Sequence, residues 1–341
     1  MKEILKILPG ELRRIISQLP TSSLNLLAEI RLRSERPLMV NLIQQDAFLT
    51  REGSIISDPA DAYRVTGEDM LKTIQLMSNS SVYALEEELR NGFLTLPGGH
   101  RVGLVGKVNL SEGRIKTISH IGGLNIRVAR QFPGTADKVL PFIIEKETNR
   151  LYHTLILSPP CCGKTTLLRD VVRQVSNGIP ALGFLGVTVG VVDERSEIAG
   201  CYKGVPQLDV GLRTDVLDAC PKAQGMILLI RSMAPEVLAV DEIGRMEDIQ
   251  ALEEALNAGI RVLATIHGSS IEDLNRRPAL DYLLKQGIFQ RFVVLGKGVT
   301  LKEIINGQDQ QPLMRGESNV KTDWGRPGDN GLRIGRLHGS R

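Results

Sequence analysis

The chain has 341 residues, of which 42% are hydrophobic and 24% charged, and its formal net charge is +3. This length accommodates two domains at about 150 residues per domain. The composition is that of an ordinary globular protein, and so small a net charge gives no argument by itself for binding nucleic acid or membranes. The four cysteines lack a metal-ligand spacing. They therefore favour reduced thiols in a cytosolic protein over disulfides.

No secretory or membrane-spanning pattern is recognisable. The first 20 residues are amphipathic and charged, unlike a signal peptide. The longest uncharged stretch, 178–192, has about 15 residues, whereas a membrane-spanning helix needs about 20. We expect a cytoplasmic protein whose association with a membrane depends on a partner.

Residues 1–134 predict a small α+β domain. Apolar residues recur at helical spacing near the start and alternate with charged residues further on, as in half-buried strands. Pro133 and Gly134 mark the end of this domain and a linker. The expected elements are helices over 1–20, 66–79 and 80–91, strands over 27–33, 37–43 and 119–130, and a hairpin over 93–108.

Residues 135–306 predict an α/β domain with a mostly parallel sheet, because strands and helices alternate from residue 151 onward. Residues 307–341 are rich in glycine and polar residues, and we expect a disordered tail there. The expected elements are helices over 136–146, 222–232 and 249–257, strands over 153–157, 187–192, 237–240 and 261–266, a loop over 200–218, and a hairpin over 289–305.

The stretch around Gly163, Lys164 and Thr165 predicts a phosphate-binding loop between a strand and a helix. In such a loop the lysine reaches the terminal phosphates of ATP and the hydroxyl binds Mg²⁺. Ser158 stands where the pattern has its first glycine, which is tolerable only at negative φ. The alternative is a helix start that contains this tripeptide by chance. The predicted nucleotide-binding residues are Ser158, Pro159, Pro160, Cys161, Cys162, Gly163, Lys164, Thr165 and Thr166.

A second candidate feature is the apolar run 237–240 followed directly by Asp241 and Glu242. A carboxylate at the end of a buried parallel strand lies on the ligand-binding edge of such a sheet. Asp241 would then hold Mg²⁺ and Glu242 would polarise the attacking water. The alternative is a buried strand with a solvated acidic end.

Other polar residues follow neighbouring strands. Thr265 and His267 would contact the γ-phosphate or the attacking water, or else would stabilise the loop that follows. Glu194 and Arg195 follow the strand predicted over 187–192 and would lie near the same edge. The alternative is a surface ion pair.

Several arginines could stabilise transferring negative charge. Arg231 would act as an arginine finger or would cap its own helix. Arg101, Arg127 and Arg130 of the first domain would reach the nucleotide from the side or would face solvent.

With these features placed, the chain resembles the stage III sporulation protein AA family, which is similar to hexameric ATPases of type II and type IV secretion and of pilus machines. The likeness covers about residues 29–305. Its most specific motifs are VDERSEIAG (192–200), MAPEVLAVDEIG (233–244) and ATIHG (264–268).

The family loop reads close to GPPGCGKTT, so Ser158 and Cys161 replace two glycines here. We expect weakened ATP binding at most, because both side chains are small. The resemblance implies that Asp241 is a ligand of Mg²⁺, that Glu242 is the catalytic base, that Glu194 and Arg195 match the acidic box, and that His267 matches the histidine box.

The resemblance also implies a RecA-like ATPase ring, a hexamer, on the mother-cell side of the channel to the forespore, docked to membrane channel proteins during endospore formation. Two other functions stay open. A nucleic-acid-stimulated translocase is opposed by the near-neutral charge and the 4% aromatic content. A scaffold that binds nucleotide without hydrolysing it is kept open by Ser158 and Cys161.

Overall fold

The structure is a computed structural model that describes residues 1–43, 45–78, 89–90, 92–111, 113–160, 162–276, 278–296 and 300–316. It contains a seven-stranded sheet formed by the first part of the chain and an eight-stranded sheet formed by the second. A two-stranded ribbon lies between them in sequence. The α/β organisation of the second part is as predicted.

The first sheet is antiparallel throughout. Strand alternation is clear in β1, where Ile30 and Leu32 are fully buried between half-exposed charged residues. This side of the sheet packs on the N-terminal helices in a core of its own. The strands are β1 (Glu29–Arg33), β2 (Met39–Asn41), β3 (Asp46–Leu49), β4 (Ile55–Ile56), β5 (Phe93–Thr95), β6 (Arg101–Ser111) and β7 (Arg114–Arg127), in the spatial order β4-β3-β2-β1-β7-β6-β5.

Local sequence features set two of the helix boundaries in the first part of the chain. The predicted N-terminal helix is divided at Pro9, which lacks the N–H that an uninterrupted helix needs. Thr66 caps α4 through a reciprocal pair of bonds with Asp69. The helix predicted over 80–91 lies largely outside the described residues. The helices here are α1 (Lys2–Ile7), α2 (Gly10–Ser17), α3 (Thr21–Leu26) and α4 (Gly67–Met77).

In the second sheet, the neighbours from β12 to β15 pair in parallel, and β15, β16 and β17 pair antiparallel. The strands are β10 (Thr154–Ser158), β11 (Val189–Asp193), β12 (Thr214–Asp218), β13 (Val237–Val240), β14 (Arg261–His267), β15 (Arg291–Gly296), β16 (Thr300–Asn306) and β17 (Pro312–Arg315), in the order β12-β11-β13-β14-β10-β15-β16-β17. The separate ribbon pairs β8 (Ile144–Glu145) with β9 (Arg150–Leu151).

Helices cover both faces of this sheet, and one hydrophobic core lies on each face. The helices are α5 (Leu140–Ile143), α6 (Lys164–Asn177), α7 (Lys222–Met233), α8 (Met246–Asn257), α9 (Ile271–Leu274) and α10 (Pro278–Lys285). Parallel pairing aligns the strand ends, since Ser158 pairs with His267 and Val240 pairs with Ala264. Polar residues that follow these strands therefore share one edge.

Three predicted elements are wrong in extent. The helix predicted over 136–146 reduces to α5, because Pro141 fits only in a first helical turn. The loop predicted over 200–218 contains β12, a half-buried edge strand with two aspartates. The predicted tail begins too early, because β17 pairs through its backbone with β16. Residues 317–341 lie outside the described part.

Across the described ranges, none of the helices combines the length and the apolar character needed to cross a membrane.

We expect Leu168→Ala to lower the free energy of unfolding by about 2–5 kcal/mol, because it opens a cavity under α6. Leu168 is fully buried in the core between α6 and the second sheet. Leu212→Ala is the matched control, because Leu212 is 89% exposed. Urea denaturation of both variants checks this. Equal stabilities of the two would show that α6 is not packed as described.

Candidate nucleotide site

Strand β10 passes through a short loop into α6. All five residues of β10 are buried. Gly163 caps the helix with a φ of 83°, a left-handed conformation that glycine adopts without strain. Ser158 has a negative φ, which meets the condition that the sequence set for a side chain there. Cys161 lies outside the described residues.

The partly buried carboxylate of Asp241 joins the start of α6 to the end of β13. The Thr165 hydroxyl donates to Oδ2 of Asp241 at 2.6 Å. The Thr265 hydroxyl at the end of β14 donates to Oδ1 of the same carboxylate. Burial raises the pKa of Asp241, while the two hydroxyl bonds and the charge of Lys164 act to lower it. Asp241 is therefore fixed between three elements of the sheet edge.

Thr165 and Asp241 fit a magnesium ion. Their hydroxyl and carboxylate oxygens are the hard ligands that Mg²⁺ prefers, and this ion commonly uses one or two protein ligands together with water and phosphate oxygens. In the part of the chain that the structure describes, no group of three or more His, Cys, Asp or Glu side chains is arranged to hold a metal. The Thr165 and Asp241 oxygens thus fit a Mg²⁺ ion whose other ligands are phosphate oxygens and water.

Lys164, Glu242 and His267 form a compact charged group. The Lys164 amine lies 2.7 Å from Oε1 of Glu242 and 3.3 Å from Nδ1 of His267. Nε2 of His267 lies 2.9 Å from the same Glu242 oxygen. Lys164 is only 5% exposed. The positive charge of this buried amine is therefore neutralised by the Glu242 carboxylate.

Two effects oppose each other at Glu242. Partial burial acts to raise its pKa, but the bond to Lys164 and the nearby positive charges prevail and lower it. Glu242 also has a φ of 56°, which is strained for a residue with a side chain. Its N–H donates to the Thr265 hydroxyl at 2.9 Å, and this bond holds the strained backbone.

The structure brings only some of the other predicted residues close. Arg195 is 62% exposed, and its guanidinium lies 4.0 Å from Glu242. Glu194 turns aside and contacts the Lys222 amine at the start of α7.

Arg231 lies apart from the other predicted site residues, so its role as an arginine finger stays a prediction. This exposed residue lies near the end of α7, about 13 Å along the helix axis from Lys222 at ~1.5 Å per residue. Since Lys222 is at the site edge of the sheet, Arg231 lies towards the opposite edge.

The arginines of the first part are engaged elsewhere. Arg101 pairs with Glu197 at 2.5 Å, Arg127 with Glu29 at 3.4 Å, and Arg130 donates to the Leu27 carbonyl at 2.6 Å. Their predicted contact with nucleotide stays a prediction.

Sequence reasoning missed Asp193 as a structural residue. This buried carboxylate accepts the N–H groups of Glu197, Ile198 and Ala199 and so folds the acidic loop that follows β11. Burial raises the pKa of Asp193, and the three N–H bonds oppose this. Its position as the last residue of a buried strand was the available signal.

Solved structures share this fold. The ATPase DotB of Legionella pneumophila matches with a TM-score of 0.53 at 13% identity, over 84% of this chain and 79% of that one. The pilus retraction motor PilT, solved with bound ADP, matches with a TM-score of 0.51 at 16% identity, over 84% of this chain and 78% of that one. The chain thus has the α/β fold of these two solved structures.

The chain belongs to the family described as sporulation stage III, protein AA, whose model matches residues 1–311. Stage III sporulation protein AA of Bacillus subtilis is 45% identical over 324 residues, covering 94% of this chain and 100% of that protein. An uncharacterized protein, ycf45, of Cyanidium caldarium is 31% identical over 47% of this chain and 45% of its own length. The resemblance drawn from the motifs is confirmed.

We expect Thr265→Val to lower the free energy of unfolding by about 1–3 kcal/mol, because it leaves the Glu242 N–H and an Asp241 oxygen without a partner. Thr265→Ser is the control, because it keeps the hydroxyl. Chemical denaturation of both checks this. A valine variant as stable as the serine variant would contradict the role given to this hydroxyl.

Proposed function

We propose that this protein is a Mg²⁺-dependent ATPase motor of the secretion-ATPase type. The observation that supports this best is the meeting of Lys164 and Thr165 with Asp241, Glu242 and His267 at one edge of a parallel sheet. Fold likeness to an ATPase and to a pilus motor adds to it.

The loop and helix start would bind the triphosphate. Backbone N–H groups at the beginning of α6 face outward, where a helix N-terminus favours an anion. The Lys164 amine would neutralise the terminal phosphates, and Thr166 would contact the phosphate nearest the ribose. Thr165 and Asp241 would hold Mg²⁺, which supplies charge neutralisation on the phosphate oxygens when it is bound.

Glu242 would act as the base. An attacking water forms a bond to the γ-phosphorus, the bond to the bridging oxygen breaks, ADP leaves with that electron pair, and the water proton passes to Glu242. His267 and Arg195 lie beside this carboxylate and would orient the water and the γ-phosphate.

The ion pair between Lys164 and Glu242 would make the basicity of Glu242 depend on prior nucleotide binding. A phosphate that draws the Lys164 amine away removes the strongest effect lowering the pKa of Glu242. The carboxylate becomes a stronger base at the moment the substrate arrives. Nucleotide binding would therefore activate Glu242 as the general base.

We further propose that the protein assembles as a ring, a hexamer, in the cytoplasm of the mother cell and energises the channel to the forespore together with membrane proteins. Arg231 is exposed away from its own site, so it is free to face a neighbouring subunit. Light scattering with and without ATP tests the ring, and a constant monomer mass would count against it.

We expect Lys164→Ala to abolish ATP turnover while leaving the fold intact. The change removes the only amine that approaches Glu242 closely among the described residues, and the carboxylate keeps His267 as a partner. Phosphate release and circular dichroism measure the two effects. Lys285→Ala is the control, because Lys285 is exposed and pairs with Asp281 on α10. Undiminished hydrolysis by Lys164→Ala would reject the site.

We expect Glu242→Gln to bind ATP but to hydrolyse it about 100- to 10,000-fold more slowly, because it removes the general base. Equilibrium binding and single-turnover hydrolysis separate the two steps. Glu236→Gln is the control, because Glu236 precedes the same strand at the opposite edge and contacts Thr188. Loss of binding in Glu242→Gln would mean that its role is wrongly assigned.

A further inference from the structure

Arg169 on α6 connects three parts of the molecule. Its guanidinium donates to the carbonyl oxygens of Glu197 at 2.5 Å and of Ile198 in the acidic loop. The same group reaches the carbonyl oxygen of Arg130 at 3.5 Å, in the segment that joins the two sheets. Burial lowers the pKa of Arg169, and the nearby carboxylates of Asp193 and Asp241 oppose this effect. A planar guanidinium can serve several carbonyls at once, which a lysine amine cannot do with the same geometry.

Asp170, the next residue, binds the same joining segment further along. It is 4% exposed, and its Oδ2 accepts the N–H of Ala136 at 2.8 Å. Arg173 and Gln174 of the same helix complete its bonds. Gln174 also donates to Asp137 at 2.8 Å. The segment is thus tied to α6 at Ala136 and Asp137.

The first half of that segment is tied to the first sheet. The Val128 N–H donates to Ala28 at 2.8 Å, and the Ala129 N–H donates to Nδ1 of His100 at 3.0 Å. The Arg130 side chain reaches Leu27 beside β1. Residues 128–137 therefore have one end on the first sheet and the other on α6.

Arg169 and Asp170 lie on α6 close to the residues predicted to bind nucleotide. Arg169 follows Thr165 by one helical turn, and Asp170 follows Thr166 by one turn, so each lies on the same face as a predicted phosphate or magnesium contact. A rigid helix carries any shift of its first turn directly to these two residues. They are also the residues that hold the joining segment.

We propose that Arg169 and Asp170 are positioning residues that couple nucleotide bound at the start of α6 to the placement of the first sheet. We call them the α6 clamp. The proposal rests on the proposed ATPase function. The clamp does not touch substrate. It acts by fixing the positions of residues 128–137 and of the acidic loop relative to α6.

The test uses the full-length protein and Arg169→Lys. Hydrogen exchange of the Val128, Ala129 and Ala136 amides is measured with and without the magnesium complex of a non-hydrolysable ATP analogue. In the wild type we expect the analogue to change this exchange. In Arg169→Lys we expect the change to disappear, the analogue Kd to stay within about 2-fold, and kcat to fall about 10- to 100-fold, since misplacement of about 1 Å can cost that much.

Arg213→Lys is the matched control, because Arg213 also donates to backbone carbonyls of α6, at Ser176 and Asn177, and these bonds do not involve residues 128–137. It should keep both kcat and the exchange response. If Arg169→Lys does not fold, Gln174→Ala is the second variant. It removes the bonds to Asp137 and Asp170 and keeps the Arg169 contacts, and it should give a smaller loss of kcat at unchanged Kd.

The outcomes separate the two proposals. If the wild type hydrolyses ATP and Arg169→Lys keeps the wild-type kcat and exchange response, only the clamp proposal is overturned. The same holds if Arg213→Lys loses as much kcat and exchange response as Arg169→Lys. Wild-type protein that hydrolysed no ATP would overturn the proposed function and the clamp with it.

Discussion

The site depends on the bonds made by the partly buried carboxylate of Asp241. Two threonine hydroxyls donate to it, one from the first turn of α6 and one from the end of β14. A carboxylate shielded from water in this way would be costly without such donors. These bonds therefore hold the loop before α6, the end of β13 and the end of β14 in one fixed arrangement, and the strained backbone of Glu242 depends on the same threonine.

Beside this fixed centre lies a group of charges that can exchange partners. Lys164 is almost fully buried and is neutralised by Glu242, while His267 and Arg195 approach the same carboxylate. A phosphate would offer the lysine more negative charge than one carboxylate does. The threonine bonds stabilise the fold, and the ion pair is the part of the site that a nucleotide can rearrange.

The sequence predicted most of the elements that carry the site. Buried parallel strands show as mostly apolar runs, so β10 and β13 were recognisable. Away from the site, Thr66 marked the start of α4 through local capping. Edge strand β12 was missed because its half-buried, acidic sequence reads as a loop until β11 lies beside it. Strand β17 was missed because backbone pairing with β16 needs no aliphatic pattern.

The sequence by itself determined the strand, loop and helix around Lys164 and the acidic pair after β13, because both follow from local residue order. It also determined the family, through motifs that are contiguous. Only the tertiary structure decided that Arg231 lies away from the site and that Glu194 turns to Lys222. It also decided that Arg169 joins α6 to the acidic loop and to the segment between the two sheets. These are contacts between distant residues, and their partners are set by how helices and strands pack in space.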